Sequence, residues 1–143
     1  EQWYKNTNIT YAFSGGKVTG SYGDATAKAH ADTLYTAQDE TDGLGTEGDV
    51  KVEGLKTRLI RNIKAQAESE LNKTDWYVVR KAEEDTAIPS AITTHRKAVR
   101  SKQAAMETAI TNASDTPALE TLYRYTKQED DSVTRPLGEI PTL

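Results

Sequence analysis

Asp49-Val50-Lys51-Val52-Glu53-Gly54-Leu55-Lys56-Thr57-Arg58-Leu59-Ile60-Arg61-Asn62-Ile63-Lys64-Ala65-Gln66-Ala67-Glu68-Ser69-Glu70-Leu71 is the stretch whose periodicity decides the fold. Val52, Leu55, Leu59, Ile63, Ala67 and Leu71 recur at three- and four-residue spacing, and Ile60 broadens the stripe, which is the repeat of an amphipathic helix. With Asp49 as its cap, the pattern predicts a helix of about six turns that exposes Lys56, Arg58, Arg61, Lys64, Glu68 and Glu70. A second helix is predicted from Pro89 to Asn112, because proline fits a first helical turn, where its missing N–H leaves nothing unpaired. Ile92, Val99, Met106 and Ala113 lie seven apart there, with His95, Gln103 and Ile110 on the turns between. Such a seam suits packing against another helix. Two helices of similar length and a connection of about 15–20 residues read as an antiparallel hairpin, with Leu59, Ile63, Val99 and Met106 at the centre of its core.

Beyond the second helix, Asn112-Ala113-Ser114-Asp115-Thr116-Pro117 ends one element and starts a short third helix. Pro117 suits its first turn, Glu120 its positive end, and Leu119, Leu122 and Tyr123 its apolar face. From Thr126 the chain holds Gln128-Glu129-Asp130-Asp131, Arg135-Pro136 and Ile140-Pro141, and residues 126–143 are expected to form an extended arm that orders on a partner.

Upstream, Ile9-Thr10-Tyr11-Ala12-Phe13 and Val18-Thr19-Gly20-Ser21-Tyr22 alternate with period two around Ser14-Gly15-Gly16-Lys17. That pattern predicts a β-hairpin with Ile9, Tyr11, Phe13, Val18 and Tyr22 on one face, and a hairpin this small must pack on something. Residues 24–38 are alanine-rich and read as a modest helix, with irregular chain as the alternative. Residues 39–49 read as a solvated acidic, glycine-rich linker whose acids miss the EF-hand positions. The fold class is therefore α+β, mainly α: an N-terminal β-hairpin region (1–38), the linker (39–49), a helical hairpin domain with its short third helix (50–125) and an extended C-terminal arm (126–143).

Composition narrows the function. Leu, Ile, Val and Phe together number 24, or 17% of the chain, so a thin core and a covering partner are expected. There is no cysteine and there are two histidines, His30 and His95. Disulfides, thiolate metal sites and cysteine nucleophiles are thereby excluded, and no cofactor or metal site is assigned. No run of 18 apolar residues and no signal-peptide pattern is visible, so no membrane association is expected. Neither glycine cluster is followed by the Lys-Ser/Thr of a phosphate loop, and Glu83-Glu84-Asp85 point in different directions. No catalytic residue is assigned, and the chain reads as non-enzymatic.

Net charge is -5 over residues 1–50, +4 over 51–110 and -3 over 111–143. Arg96, Lys97, Arg100 and Lys102, joined by Arg58, Arg61 and Lys64, make a basic patch, but the overall net charge of -4 argues for an acidic protein partner over a phosphate backbone. Trp3 and Tyr4, in an aromatic-rich start, and Arg96 and Arg100 are the candidate partner-binding residues.

Between the two long helices lies Leu71-Asn72-Lys73-Thr74-Asp75-Trp76, in which Thr74 or Asp75 can cap the apolar Tyr77-Val78-Val79 element. Trp76, large enough to close the crossing, is expected to be the buried anchor of the hairpin. Arg80-Lys81-Ala82-Glu83, Ile88-Pro89 and His95-Arg96-Lys97-Ala98-Val99-Arg100 follow in order. This succession, over about residues 55–111, resembles the C-terminal region of tailed-bacteriophage tail-fibre assembly chaperones and related small phage tail proteins. Their helix usually reads Tyr-Arg-x-x-Leu-Arg, and here His95 and Val99 stand for the Tyr and the Leu. The resemblance implies a non-enzymatic, bacteriophage tail-associated protein, either a virion structural connector or a tail-fibre assembly factor. It would sit in the virion tail, or in the host cytoplasm during assembly. Its partners would be other tail, baseplate or fibre proteins, with a homo-oligomer as a further option. The alternative is a small nucleic-acid-associated or generic protein-interaction module that uses the basic helices.

Overall fold

Four two-stranded antiparallel sheets and five helices make up the chain in a computed structural model, which describes residues 2–143. The chain divides into two compact units, Glu1–Leu55 and Lys56–Leu143. The structure is mixed α and β, mainly α.

In the first unit, β1 (Tyr4–Lys5) pairs with β4 (Thr26–Ala27), and β2 (Ile9–Ser14) with β3 (Lys17–Tyr22). The β2–β3 register places Ile9 opposite Tyr22, Tyr11 opposite Gly20 and Phe13 opposite Val18, so the five apolar side chains share one face as the alternation predicts. Gly15 and Gly16 supply the two positive φ angles of the turn. Residues 24–38 are not helical. Thr26–Ala27 and β5 (Thr33–Leu34) are strands, and a five-residue helix, α1 (Ala37–Thr41), begins only at the end of the segment. Alanine is a good helix former, but this stretch offers no apolar stripe for a helix to bury, and pairing with distant strands decides its structure.

The expected linker is structured too. Thr36 and Asp39 cap α1 reciprocally, and Asp39 also meets Lys51 Nζ at 2.6 Å, which holds its carboxyl down at about 2. Tyr35 donates to the Asp49 carbonyl and Gly48 to the Tyr35 carbonyl, continuing the pairing of β5 with β6 (Val50–Val52). Asp49 therefore lies in a ladder and caps no helix; Val50 and Val52 follow the period of a strand. The strand stops at Gly54, whose amide donates to Asp32 Oδ1 at 2.6 Å, and a Cβ there would land on the Ala31 carbonyl. Only glycine lets the two segments cross so closely.

The second unit is built on α2 (Leu55–Asn72), α3 (Asp75–Glu84), α4 (Ser90–Asn112) and α5 (Thr116–Tyr123). Lys56 Nζ donates to the Thr111 carbonyl, Lys64 faces Glu107, and Glu70 faces His95, so α2 and α4 run antiparallel as their apolar stripes require. Leu59, Ile63, Val99 and Met106 are all buried, together with Ala67, Ile92, Ile110 and Leu119. Asp115 caps α5 by accepting from the Ala118 amide.

The C-terminal segment departs from the expected extended arm. It forms a short ladder, β7 (Thr126–Lys127) with β8 (Val133–Thr134), and then folds back onto its own unit. Leu137 is buried and donates its amide to the Leu122 carbonyl, while Arg135 bonds Glu139 and stacks over Tyr123 and Tyr125. Leu137 and Arg135 thus fasten this segment to its own unit.

Trp76 is the other correction. It is 52% exposed and α3 buries no residue, so the ring does not anchor the hairpin. We predict that Trp76→Ala changes unfolding free energy by about 1 kcal/mol or less, whereas Ile63→Ala costs about 2–5 kcal/mol. Chemical denaturation of the two variants side by side checks the contrast.

Candidate functional site

Two groups of side chains stand out, one polar and inward, the other apolar and outward. The polar group lies where α2 ends. A helix end leaves carbonyls without partners. Here the Leu71 carbonyl receives Arg96 Nη1 at 2.8 Å and the Thr74 hydroxyl at 3.0 Å. The same Arg96 Nη1 donates to Thr74 Oγ1 at 2.7 Å, and Nη2 reaches Asp75 Oδ1 at 2.8 Å. Arg96 is buried, its fork shared among three acceptors, so it is not a free partner-binding residue: its guanidinium is occupied by this helix junction. Thr74 makes no side-chain cap to α3, because its hydroxyl is committed to Leu71 and Arg96.

Beside this junction sits Glu70, buried although its place on the helix pattern suggests exposure. Its Oε1 accepts from the Leu143 amide at 2.8 Å and pairs with His95 Nε2 at 3.1 Å, and its Oε2 pairs with Lys73. The Lys73 contact is the largest influence holding the carboxyl below its ordinary 4.5; burial opposes it, and the Leu143 amide and His95 support it. Both oxygens of the Glu70 carboxylate are thus engaged in joining the end of α2 to α4 and to the C-terminal segment. Among the described residues, no group of three or more His, Asp or Glu is placed to hold a metal ion. No helix among the described residues is long and apolar enough to cross a membrane.

The outward group is the apolar face of the β2–β3 hairpin. Tyr11 is 73% exposed, Phe13 75%, Val18 66% and Tyr22 61%, and Ile9 is open as well. The opposite face carries a short hydroxyl ladder, Thr10 to Ser21 and Thr19 to the Ala12 carbonyl. Lys17, in the turn, is the one charged residue between Ile9 and Tyr22. A smaller apolar surface lies on α3, where Trp76 and Tyr77 stack with centroids 3.9 Å apart and the Arg80 guanidinium sits 4.6 Å from the Trp76 ring.

The remaining candidate partner residues are dispersed. Trp3 and Tyr4 are half-buried at β1, where the Trp3 carbonyl accepts from Lys28, so they belong to the fold as much as to its surface. Arg100 is exposed and lines a shallow polar groove with Lys64, Asp75 and Gln103. Sequence reasoning located the hairpin face but missed the Glu70 and Arg96 clusters. Partners 22–73 residues apart leave no local signal. No family profile, curated protein or solved structure matches this chain.

Two outcomes follow from the polar cluster. Arg96→Met leaves the Leu71 carbonyl and the Thr74 hydroxyl short of a charged donor and should cost about 2–3 kcal/mol, read by chemical denaturation. Glu70 has a lowered folded-state pKa, so its contribution is complete above its ordinary value and is lost as pH falls through the lowered one. Glu70→Gln should therefore lower stability near neutral pH, read by chemical denaturation, and its difference from the parent chain should shrink as pH falls below about 4.5.

Proposed function

We propose that this chain is a non-enzymatic, bacteriophage tail-associated connector, working by protein–protein contact as a virion component or as a fibre-assembly factor. The observation that carries the reading is the uncharged hairpin face, with Tyr11, Phe13, Val18 and Tyr22 each more than 60% exposed. Exposed apolar surface of this extent is characteristic of an interaction site. The tail context rests on the resemblance of the segment around Thr74-Asp75-Trp76 and His95–Arg100 to small phage tail proteins. Internal use of Arg96, and the pairing of Lys64 with Glu107, shrink the basic surface that the nucleic-acid reading needs.

Mass spectrometry of purified phage particles and of tail-assembly intermediates tests the proposal. The chain should appear in particles if it is structural, or only in intermediates if it is an assembly factor. Tyr11→Thr/Phe13→Thr, which keeps β-branched residues in the strand, should lose that association while the helical unit melts as before. Absence from both fractions, or undiminished association of the double variant, overturns it.

A further inference from the structure

We infer that the partner of the hairpin face is a second copy of this chain, the two β2–β3 hairpins closing face to face as an isologous pair; this rests on the connector reading of that face. Chemistry supports the choice first. The face offers rings and aliphatic groups without a charge, so its complement must also be flat, apolar and uncharged. The chain itself carries such a surface of matching length. Gly20 sharpens the shape: a Cβ there would stand 3.0 Å from Ile9 and 3.2 Å from the Tyr11 ring, so the missing side chain lets Tyr11 lie across the neighbouring strand.

Area supports it second. Aromatic side chains bury about 150–250 Å² each, and three of them at these exposures, with Val18 and Ile9, present on the order of 600 Å². Two faces closed together remove about 1,200 Å² in total, the lower end of specific interfaces. A partner covering only part of the face would fall below that range. Stability is the third support. A two-stranded hairpin is marginal in water, whereas two hairpins packed about 10 Å apart make four strands around one apolar layer.

Charge sets the sign of a control. Residues 1–55 carry four basic and nine acidic side chains, so two copies repel at long range. An isologous apolar pair should therefore tighten as salt rises, whereas a contact between acidic and basic surfaces would weaken.

Sedimentation equilibrium of the full chain over a concentration series, at low and high NaCl, is the experiment. The expected result is a monomer–dimer equilibrium with a dissociation constant on the order of micromolar, tighter at high salt. Tyr11→Thr/Phe13→Thr should weaken it by roughly tenfold or more, and Ala12→Lys on the opposite face should not. Should the double variant melt the hairpin, Val18→Thr alone reads the same face. A trimer, a dimer indifferent to these substitutions, or one that weakens with salt overturns the inference. A monomer whose hairpin amides exchange freely also overturns it but leaves the face open to another protein. A monomer whose hairpin amides are already protected overturns the connector reading as well.

Discussion

The guanidinium of Arg96 is the constraint on which the helical unit depends. It comes from the second turn of α4 and reaches the last turn of α2 and the first residues of α3 together. Three elements are thus registered by one side chain. A lysine could not reproduce this, because the contacts need a rigid fork with several donors. Once the α2–α4 register is fixed there, the apolar stripes of the two helices coincide along their length. Lys64 then meets Glu107, and Lys56 meets the end of α4. The buried Glu70 completes the same end of the unit from the adjacent turn, tying α2 to α4 through His95 and to the C-terminal segment through Leu143.

This geometry gives a physical meaning to the residues between the two long helices. Thr74 and Asp75 are bound by Arg96, which explains why a short hydroxyl–carboxylate pair belongs at that junction. Trp76, next in line, points away from it and stacks with Tyr77 and Arg80. Ring size suggested burial, but position decides it: Trp76 lies on α3, which buries none of its residues. Size and hydrophobicity therefore misplaced the tryptophan, although its neighbours correctly marked the junction.

What periodicity encodes was legible. The stripe from Leu55 to Leu71 and the seam from Ile92 to Ile110 carry their partners in their spacing, and the β2–β3 hairpin carries its register in its glycine turn. Pro117 also read through, in the first turn of α5, whereas the caps expected at Asp49 and Thr74 are not made. What periodicity does not encode was lost. The β1–β4 and β5–β6 pairs join segments more than 15 residues apart with two or three residues on each side, too few for alternation to register. The three-residue spacing of Val52 and Leu55 made a strand look like the start of a helix. Nothing local announces that Glu70 is buried or that Leu137 closes over its own unit, because both depend on where the C-terminal segment returns.

The two units are stabilised by different physics, and that difference bears on function. Among the described residues, Leu55 is the single buried apolar side chain of the first unit, while nine lie in the second. The first unit is held by short ladders and by polar pairs such as Asp39 with Lys51, interactions worth little individually in water. Three of its six aromatic side chains, Tyr11, Phe13 and Tyr22, are set along one open hairpin face and not in a core. Covering that face would supply the missing hydrophobic stabilisation of about 25 cal/mol per Å². Stability of the first unit and occupancy of the face are then linked by mass action, since whatever binds only the folded hairpin also favours its folding. The helical unit, with nine buried apolar side chains of its own, depends less on such a contact.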